Sequence, residues 1–159
     1  MVAMMAPCAF AAEEVAEVNG TKYSSLQDAI DNTAEGTITL LNDVELSDQS
    51  DQLVFTNGKN ITLDLNGHSI SRTNNVVMVQ NAHLTVTGTG KISETAPDYG
   101  AIVIKGSNNE NDTNYSVVTV ESGVTLEAWA AIFITPFQRQ AARACIWLAT
   151  ARLLLTVVL

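Results

Sequence analysis

Basic side chains are scarce in this chain of 159 residues, where eight Lys and Arg stand against 17 Asp and Glu for a formal net charge of −9. All 17 acids lie at or before Glu127 with five bases among them, so this part carries −12; the bases are Lys22, Lys59, Arg72, Lys91 and Lys105. Nucleic-acid binding needs clustered Lys and Arg, which excludes DNA and RNA as partners. Acidity also disfavours polyanionic glycans unless calcium bridges them, so neutral cell-wall or host glycans, or a protein partner, fit better.

Cysteine is nearly absent, with Cys8 and Cys145 as the two examples. Residues 1–6 are apolar and Ala9-Phe10-Ala11 is a small-x-small cleavage signal, so residues 1–11 are interpreted as a partial signal peptide. The basic n-region of a signal peptide is missing, which favours Met1 as an internal start of a longer reading frame. The alternative is that residues 1–11 are an ordinary apolar N-terminus. Cleavage would remove Cys8 and leave residues 12–136 without a disulfide. We therefore expect a secreted or cell-surface protein.

A long apolar run is also lacking. The longest stretch, residues 144–159, has 16 positions and includes Arg152, whereas a membrane span needs about 20 apolar residues. Residues 137–159 contain no acid and do not continue the repeat described next. Three interpretations of this tail stay open: a membrane anchor, an amphipathic capping helix and a frameshifted gene end. Membrane association is expected only if the tail is genuine.

The chain does contain a repeated apolar-Thr-apolar triplet. It occurs at residues 38–40, 61–63, 84–86 and 118–120, with spacings of 23, 23 and 34 residues, and such a period is typical of stacked repeats. Because side chains alternate along a strand, the apolar members should point inward and stack. The predicted columns are Ile38, Ile61 and Leu84, then Leu40, Leu63 and Val86. The predicted outer row is Thr39, Thr62, Thr85 and Thr119.

Two further apolar series follow the triplets in phase. The second consists of Leu46, Ile70, Ile92 and Leu126. The third consists of residues 77–79, 101–104 and 131–134. Each repeat thus contains three short strands, which predicts an all-β parallel β-helix of about four coils. An antiparallel sandwich also has alternating strands, but it has no reason to repeat three of them in one order.

The segments Asn60-Ile61-Thr62-Leu63-Asp64-Leu65-Asn66-Gly67-His68-Ser69-Ile70 and Leu84-Thr85-Val86-Thr87-Gly88-Thr89-Gly90-Lys91-Ile92 resemble coils of the right-handed β-helix superfamily of pectate lyases, especially its bacterial secreted and surface members. The resemblance covers residues 18–135. It implies three parallel sheets wound into a prism. Its motifs are specific for the fold and for no particular activity.

A short helix is predicted near residues 24–34, at the N-terminal end of the solenoid. Ser24-Ser25-Leu26-Gln27 matches a capping box, in which a Ser hydroxyl accepts from the backbone three residues on. Leu26, Ala29 and Ile30 share one face, so this helix should seal an apolar end, as solenoids require. A left-handed Asn or Gly within residues 32–36 is expected to end it.

Enzymes of the pectate lyase superfamily, which this chain resembles, place aspartates and a basic residue on one sheet. Together these residues bind calcium and abstract a proton from the substrate. The candidates here are Asp43, Asp64, His68, Arg72, Lys91 and Asp98. Aligned by coil, Asp64 falls opposite Leu41 and Thr87, and Asp43 falls opposite Asn66 and Thr89. The carboxylates do not stack, so we assign no catalytic residue and leave enzymatic activity uncertain. His68 and His83 are lone histidines, and no metal site or cofactor is predicted from them.

A polar insertion lengthens one coil by about eleven residues. Its candidate binding residues are Asn108, Asn109, Glu110, Asn111, Asp112 and Asn114. Their oxygens suit a weakly held calcium ion or a sugar, although the ordered spacing of a calcium loop is missing. A plain solvated loop is the alternative.

Two functions stay open at this stage. The first is a non-catalytic β-helix module with a structural, adhesive or glycan-contacting role. The second is a piece of a polysaccharide lyase or glycoside hydrolase whose catalytic coils lie beyond residue 136. Four coils would leave Ile132 and Ile134 unstacked, which favours a fragment of a longer solenoid in either case.

Overall fold

The computed structural model of the chain describes residues 12–46, 52–96, 99–105, 116–135 and 144–148. These residues are mostly β-strand, which confirms the all-β class. In chain order the elements are β1 (Ala16–Val18), β2 (Thr21–Tyr23), α1 (Leu26–Asp31), β3 (Glu35–Leu40), β4 (Val44–Leu46), β5 (Leu53–Phe55), β6 (Asn60–Asp64), β7 (Ser69–Arg72), β8 (Val77–Gln80), β9 (His83–Thr87), β10 (Gly90–Glu94), β11 (Gly100–Lys105), β12 (Ser116–Val120), β13 (Val124–Glu127), β14 (Ala130–Thr135) and β15 (Ala144–Leu148).

The described strands form three sheets. Sheet A has the order β15-β12-β9-β6-β3-β1-β2, sheet B the order β13-β10-β7-β4, and sheet C the order β14-β11-β8-β5. All pairs are parallel except those of β1 with β2 and with β3. From β3 to β15 the chain visits sheets A, B and C in turn. The predicted repeat of three strands is therefore confirmed, and β5 adds a strand that was not predicted.

Apolar side chains of sheet A stack in columns on its inner face. Two predicted pairs are confirmed, Ile61 with Leu84 and Leu63 with Val86. Val118 and Val120 extend these columns by one coil. All six side chains are at most 5% exposed. Since full burial of one such side chain contributes about 1.5–3 kcal/mol, these columns are a main source of stability. The predicted outer row of Thr62, Thr85 and Thr119 is confirmed and half-buried.

The register of the first coil in sheet A differs from the prediction by two residues. Ile38 pairs with Leu63 and not with Ile61. Thr39 accordingly pairs with Asp64 and lies outside the row of Thr62. The predicted partners in this coil were wrong, whereas the inward and outward faces were right. A shift of two residues keeps every side chain on its face, because alternation has a period of two.

Sheet B shows the same displacement in its first strand. Val44, and not Leu46, pairs with Ile70. The later members of the series are confirmed, since Ile92 pairs with both Ile70 and Leu126. The error is thus confined to the first coil, where β3 also pairs with the antiparallel strand β1.

Helix α1 lies within the predicted segment 24–34, but it is shorter. Ser25 is its N-cap, and the Ser25 hydroxyl accepts from Asp28 N at 3.2 Å. The capping box predicted from Ser24 and Gln27 was therefore wrong by one residue. The predicted apolar face is confirmed, because Leu26, Ala29 and Ile30 are buried.

Gln27 has a different role from the one predicted. Its side-chain oxygen accepts from Val54 N at 2.9 Å, and its amide nitrogen donates to Val54 O at 3.4 Å. Val54 belongs to β5, the edge strand of sheet C. The amide therefore takes the place of a neighbouring strand and covers part of an exposed edge.

Side chains, and not a left-handed residue, close the C-terminal end of α1. Asn32 has a right-handed φ of −83°, so the predicted left-handed cap was wrong. The Asn32 amide donates to Asp28 O at 2.8 Å, and the Thr33 hydroxyl donates to Ala29 O at 2.7 Å. Asp28 O also accepts from Asn32 N at 3.1 Å, so the two side chains add to the bonds that close this end of the helix.

The tail was expected to leave the repeat at residue 137, but its described part continues sheet A. Residues 144–148 form β15, which pairs in parallel with β12 so that Ile146 lies opposite Val118 and Trp147 opposite Thr119. An amphipathic helix is therefore the wrong interpretation for these five positions. The described residues also contain no helix long and apolar enough to cross a membrane.

Candidate functional site

The predicted binding residues of the insertion, Asn108, Asn109, Glu110, Asn111, Asp112 and Asn114, lie outside the described residues. The two ends of the insertion are described, and Ser116 holds them together. Its buried hydroxyl donates to Lys105 O at 3.0 Å, lies 3.4 Å from Val79 O, and accepts from Asn81 N at 2.9 Å. The stem of the insertion is thus anchored to sheets A and C, and its calcium or sugar role stays a prediction.

The outer face of sheet A carries two rows of polar side chains, which we call the threonine face. Each coil contributes one residue to each row, because the outward positions of a strand are two residues apart. The first row is Thr37, Thr62, Thr85 and Thr119, and the second is Thr39, Asp64, Thr87 and Glu121. Most of these side chains are half-buried or exposed, so their polar atoms face solvent.

The second row holds the carboxylates of this face. Thr87 Oγ1 donates to Glu121 Oε2 at 2.6 Å, and Asp64 Oδ1 accepts from Asn66 N at 2.9 Å. Since adjacent strands lie about 4.8 Å apart, the backbones at Asp64 and Glu121 are separated by about 9.6 Å, with Thr87 between them. Thr87 was predicted opposite Asp64 and is confirmed, while Thr39 takes the place predicted for Leu41.

Glu121 was missed by the sequence prediction, although a signal for it was present. Asp64, Thr87 and Glu121 each follow an apolar-Thr-apolar triplet directly. A search of the position after each triplet would therefore have aligned all three. Fixed carboxylate and hydroxyl oxygens in such a row can accept hydrogen bonds from the hydroxyl groups of a ligand.

Asp43 and His68 come together at the start of sheet B. Asp43 Oδ1 accepts from Ser69 N at 2.7 Å and lies 3.5 Å from His68 Nδ1. The backbone N–H of Ser69 holds the pKa of the Asp43 carboxyl below its ordinary value of 3.8, and His68 adds a smaller effect. The predicted neighbours Asn66 and Thr89 were wrong, because the first coil is shifted. This contact fastens a turn of the first coil to that of the second.

The other catalytic candidates fall at separate places. Lys91 Nζ forms an exposed ion pair with Glu127 Oε2 at 2.8 Å, and this bond holds the pKa of Glu127 below its ordinary value. Arg72 is buried and donates to Asn75 O. Asp98 lies outside the described residues. The described candidates therefore do not form one site.

A buried polar corner, which the sequence did not predict, lies where β7 and β10 end. Arg72 and Glu94 occupy paired positions of these strands and are 4% and 5% exposed. Glu94 Oε1 accepts from Ala96 N, and Glu94 Oε2 has no hydrogen-bond partner among the described residues. Burial of two ionisable side chains of opposite charge at adjacent positions is costly unless each compensates the other. We therefore interpret this corner as a structural feature of the fold.

A depression of about 460 Å³ lies beside α1, away from the threonine face. Apolar side chains form much of its lining, together with Asp43 and Glu45; the apolar residues are Val15, Leu26, Val44, Leu46 and Leu53. Its lining residues include the Asp43 of the His68 contact and, among the described residues, no Lys, Arg or His.

The described residues contain no group of three or more His, Cys, Asp or Glu side chains placed to hold a metal ion. In comparisons with known proteins, no family model, no curated protein and no solved structure matches the chain.

Proposed function

We propose that sheets A, B and C are the three faces of a right-handed parallel β-helix of about four coils, with α1 and the β1–β2 hairpin at its N-terminal end. The regular visiting order of the sheets supports this, as do the parallel registers from β3 to β15. The right-handed sense follows from the strong preference of parallel crossover connections. Such a solenoid is rigid and repeats its outer surface once per coil.

We propose further that this solenoid is a non-catalytic module, secreted or on the cell surface, that contacts glycans. The observation that carries the proposal is the threonine face, where a hydroxyl group recurs at each of four coils and a carboxylate stands on two of them. Polar groups held on strands about 4.8 Å apart can bond successive units of an extended, hydroxyl-rich polymer without a separate pocket. Rigid presentation keeps the ordering cost of binding low.

Charge selects the kind of glycan. The chain to residue 136 carries 17 acids and five bases, and Asp64 and Glu121 stand on the threonine face itself. A polyanionic polymer would be repelled by like charge, whereas the hydroxyls of a neutral polymer can donate to the carboxylates. The ligand class is therefore neutral polysaccharide.

Hydrolysis of a glycan is the second candidate, and the spacing of Asp64 and Glu121 favours it. Their backbones are about 9.6 Å apart, from two strand spacings, a separation from which the carboxyl groups can reach the range of about 6.5–9.5 Å found in inverting glycosidases. Both carboxylates already accept hydrogen bonds within the chain. This favours a role as fixed acceptors over one as acid and base.

Binding of the full chain to insoluble cellulose, xylan, mannan and chitin would test the proposal. A variant with Thr62→Val, Thr85→Val and Thr119→Val keeps the β-branched shape and removes three hydroxyls. One hydrogen bond contributes about 0.5–1.5 kcal/mol, so we expect affinity for the bound polymer to fall about tenfold or more. The matched control is Thr125→Val, an exposed outward threonine of β13 in sheet B.

The proposal fails if the unsubstituted chain binds none of the four polymers. It also fails for this face if the triple variant and Thr125→Val bind equally well. Release of new reducing ends from a bound polymer, abolished by Asp64→Asn or Glu121→Gln, would replace the binding role by the hydrolytic one.

A further inference from the structure

The two large hydrophobic side chains that are exposed in the described part of the chain are both aromatic. Tyr99 is 37% exposed and Trp129 is 62% exposed. The described core places its other large apolar side chains inside, many at 0% exposure. A single exposed aromatic side chain is ordinary on a protein surface, whereas exposed apolar side chains that lie together can mark an interaction site.

Tyr99 and Trp129 occupy equivalent positions in neighbouring coils. Tyr99 immediately precedes Gly100 and Trp129 immediately precedes Ala130, and these two following residues are partners in sheet C. Paired strands lie about 4.8 Å apart, so the two aromatic residues start from adjacent levels of the same corner, between sheets B and C. The recurrence at one register position is the same principle that builds the threonine face.

The corner around the aromatic pair is polar. In the coils of β7 and β10, Thr73 and Thr95 follow the strands directly and are exposed. Glu127, which is exposed and bonded to Lys91, lies two residues before Trp129. The exposed apolar surface is thus two rings with hydroxyl and carboxylate groups nearby.

The two rings alone are large enough for a sugar, whereas a protein partner would need further surface beyond them. An aromatic side chain buries about 150–250 Å², so two of them provide at most about 500 Å². A stable protein interface needs about 800 Å² per partner with an apolar centre. A sugar ring needs much less, because it offers one face of C–H groups and an edge of hydroxyls.

We propose that Tyr99 and Trp129 form a stacking platform for a neutral glycan, separate from the threonine face, in which the rings cover the C–H faces of pyranose units and nearby polar groups bond their hydroxyls. This inference rests on the proposed glycan-contacting function and gives it a second contact surface. The acidic charge of the chain directs the platform to uncharged sugars. Tyr and Trp suit the task because each combines a large apolar ring with a polar atom.

Tryptophan fluorescence tests the platform directly. The chain has two tryptophans, Trp129 and Trp147, so Trp147→Phe leaves Trp129 as the only indole. Titration of this variant with cellohexaose, xylohexaose, mannohexaose and chitohexaose is expected to give a saturable change in emission with one of them. Trp129→Ala and Tyr99→Ala, made in the full chain, are expected to weaken retention on the matching polymer at least tenfold each.

Two conservative variants provide the controls. Trp129→Phe and Tyr99→Phe keep a ring face, and we expect them to retain binding to within a few-fold. Trp129 is 62% exposed, and Tyr99→Phe keeps a ring that is 37% exposed. Circular dichroism and the melting temperature should therefore be unchanged in Trp129→Ala, Trp129→Phe and Tyr99→Phe, which separates loss of the platform from loss of the fold.

The outcomes distinguish this inference from the proposed function. If a polymer binds and the triple threonine variant weakens it while Trp129→Ala does not, the platform is refuted and the proposed function stands. If Trp129→Ala abolishes binding that the threonine variant leaves intact, the platform is supported and the threonine face loses its role. Binding of no glycan refutes both. Self-association that Trp129→Ala removes in sedimentation, without sugar, would assign the pair to a second copy of the chain and overturn the platform.

Discussion

The ammonium nitrogen of Lys59 lies 2.8 Å from the carbonyl oxygen of Ile30, at the C-terminal end of α1. The same nitrogen donates to Thr33 O at 2.8 Å and to Asp31 O at 3.2 Å, which uses all three of its protons. Lys59 belongs to the second coil, immediately before β6. A single cation therefore neutralises the negative end of the helix and fastens the N-terminal cap to the solenoid.

Lys59→Met should detach the cap at this point. The variant keeps the aliphatic stem but leaves three carbonyl groups without their donor, and bonds to a charged group contribute about 1.5–3 kcal/mol. We expect the free energy of unfolding to fall by about this amount in urea titration. Lys105→Met, at an exposed position, should change it by less than about 0.5 kcal/mol. Equal losses in both variants would contradict the capping role.

Gly88→Ala should cost more than Gly67→Ala. Both glycines have a left-handed φ, +79° and +87°, so each substitution incurs about 1–2 kcal/mol from the backbone. A Cβ at Gly67 meets open space, whereas a Cβ at Gly88 would overlap the Asp64 carboxylate and lie 3.1 Å from Asn66 N. Displacing that carboxylate also breaks its bond to Asn66, which adds about 1 kcal/mol.

The comparison of the two glycine variants can be sharpened with Asp64→Ala. In that background only the 3.1 Å approach to Asn66 N remains at Gly88, so most of the extra cost of Gly88→Ala over Gly67→Ala should disappear in chemical unfolding. If the extra cost persists, crowding by Asp64 is not its cause.

At low pH, Asp43 should no longer contribute to the stability of the folded chain. Its pKa is lowered in the folded chain by the Ser69 N–H, so its stabilising effect is present above the ordinary carboxyl pKa and is lost as pH falls through the lower, folded value. We expect Asp43→Asn to have a lower melting temperature than the native chain at pH 7, and this difference should shrink as the pH falls below the ordinary carboxyl pKa of 3.8.

Glu127→Gln provides the contrast for Asp43. The pKa of Glu127 is also lowered, chiefly by its hydrogen bond with Lys91, and both side chains are exposed. In about 1 M salt, where the screening length is about 3 Å, the effect of Glu127→Gln should largely disappear. The effect of Asp43→Asn should persist, because a backbone N–H is its main partner. The same salt response in both would refute this distinction.

Ser116→Ala should loosen the base of the insertion. The substitution removes the hydroxyl that bonds Lys105 O and Asn81 N, and loss of a buried partner costs about 1–3 kcal/mol. We expect lower stability together with faster proteolysis within residues 106–115. Ser122→Ala, in an exposed turn, is the control and should alter neither property. An unchanged cleavage rate in Ser116→Ala would show that the stem does not depend on this hydroxyl.

The sequence by itself determined which side chains of each strand face inward and which coils repeat. Alternation and period are local properties, and they placed Ile61 over Leu84 and Thr62 over Thr85 correctly. The candidate site could be predicted only in part. The position of Thr87 beside Asp64 followed from the repeat, whereas its hydrogen bond to Glu121 depends on side-chain geometry that the sequence pattern does not contain.

Tertiary structure decided the partners in the first coil and the end of the helix. A slip of two residues leaves the pattern of faces unchanged, so the sequence could not choose between Ile61 and Leu63 as the partner of Ile38; in the folded chain β3 pairs with β1 on one side and β6 on the other. Lys59 likewise reaches Ile30 from 29 residues away. Local periodicity carries no information about such contacts, because they arise only when coils pack against one another.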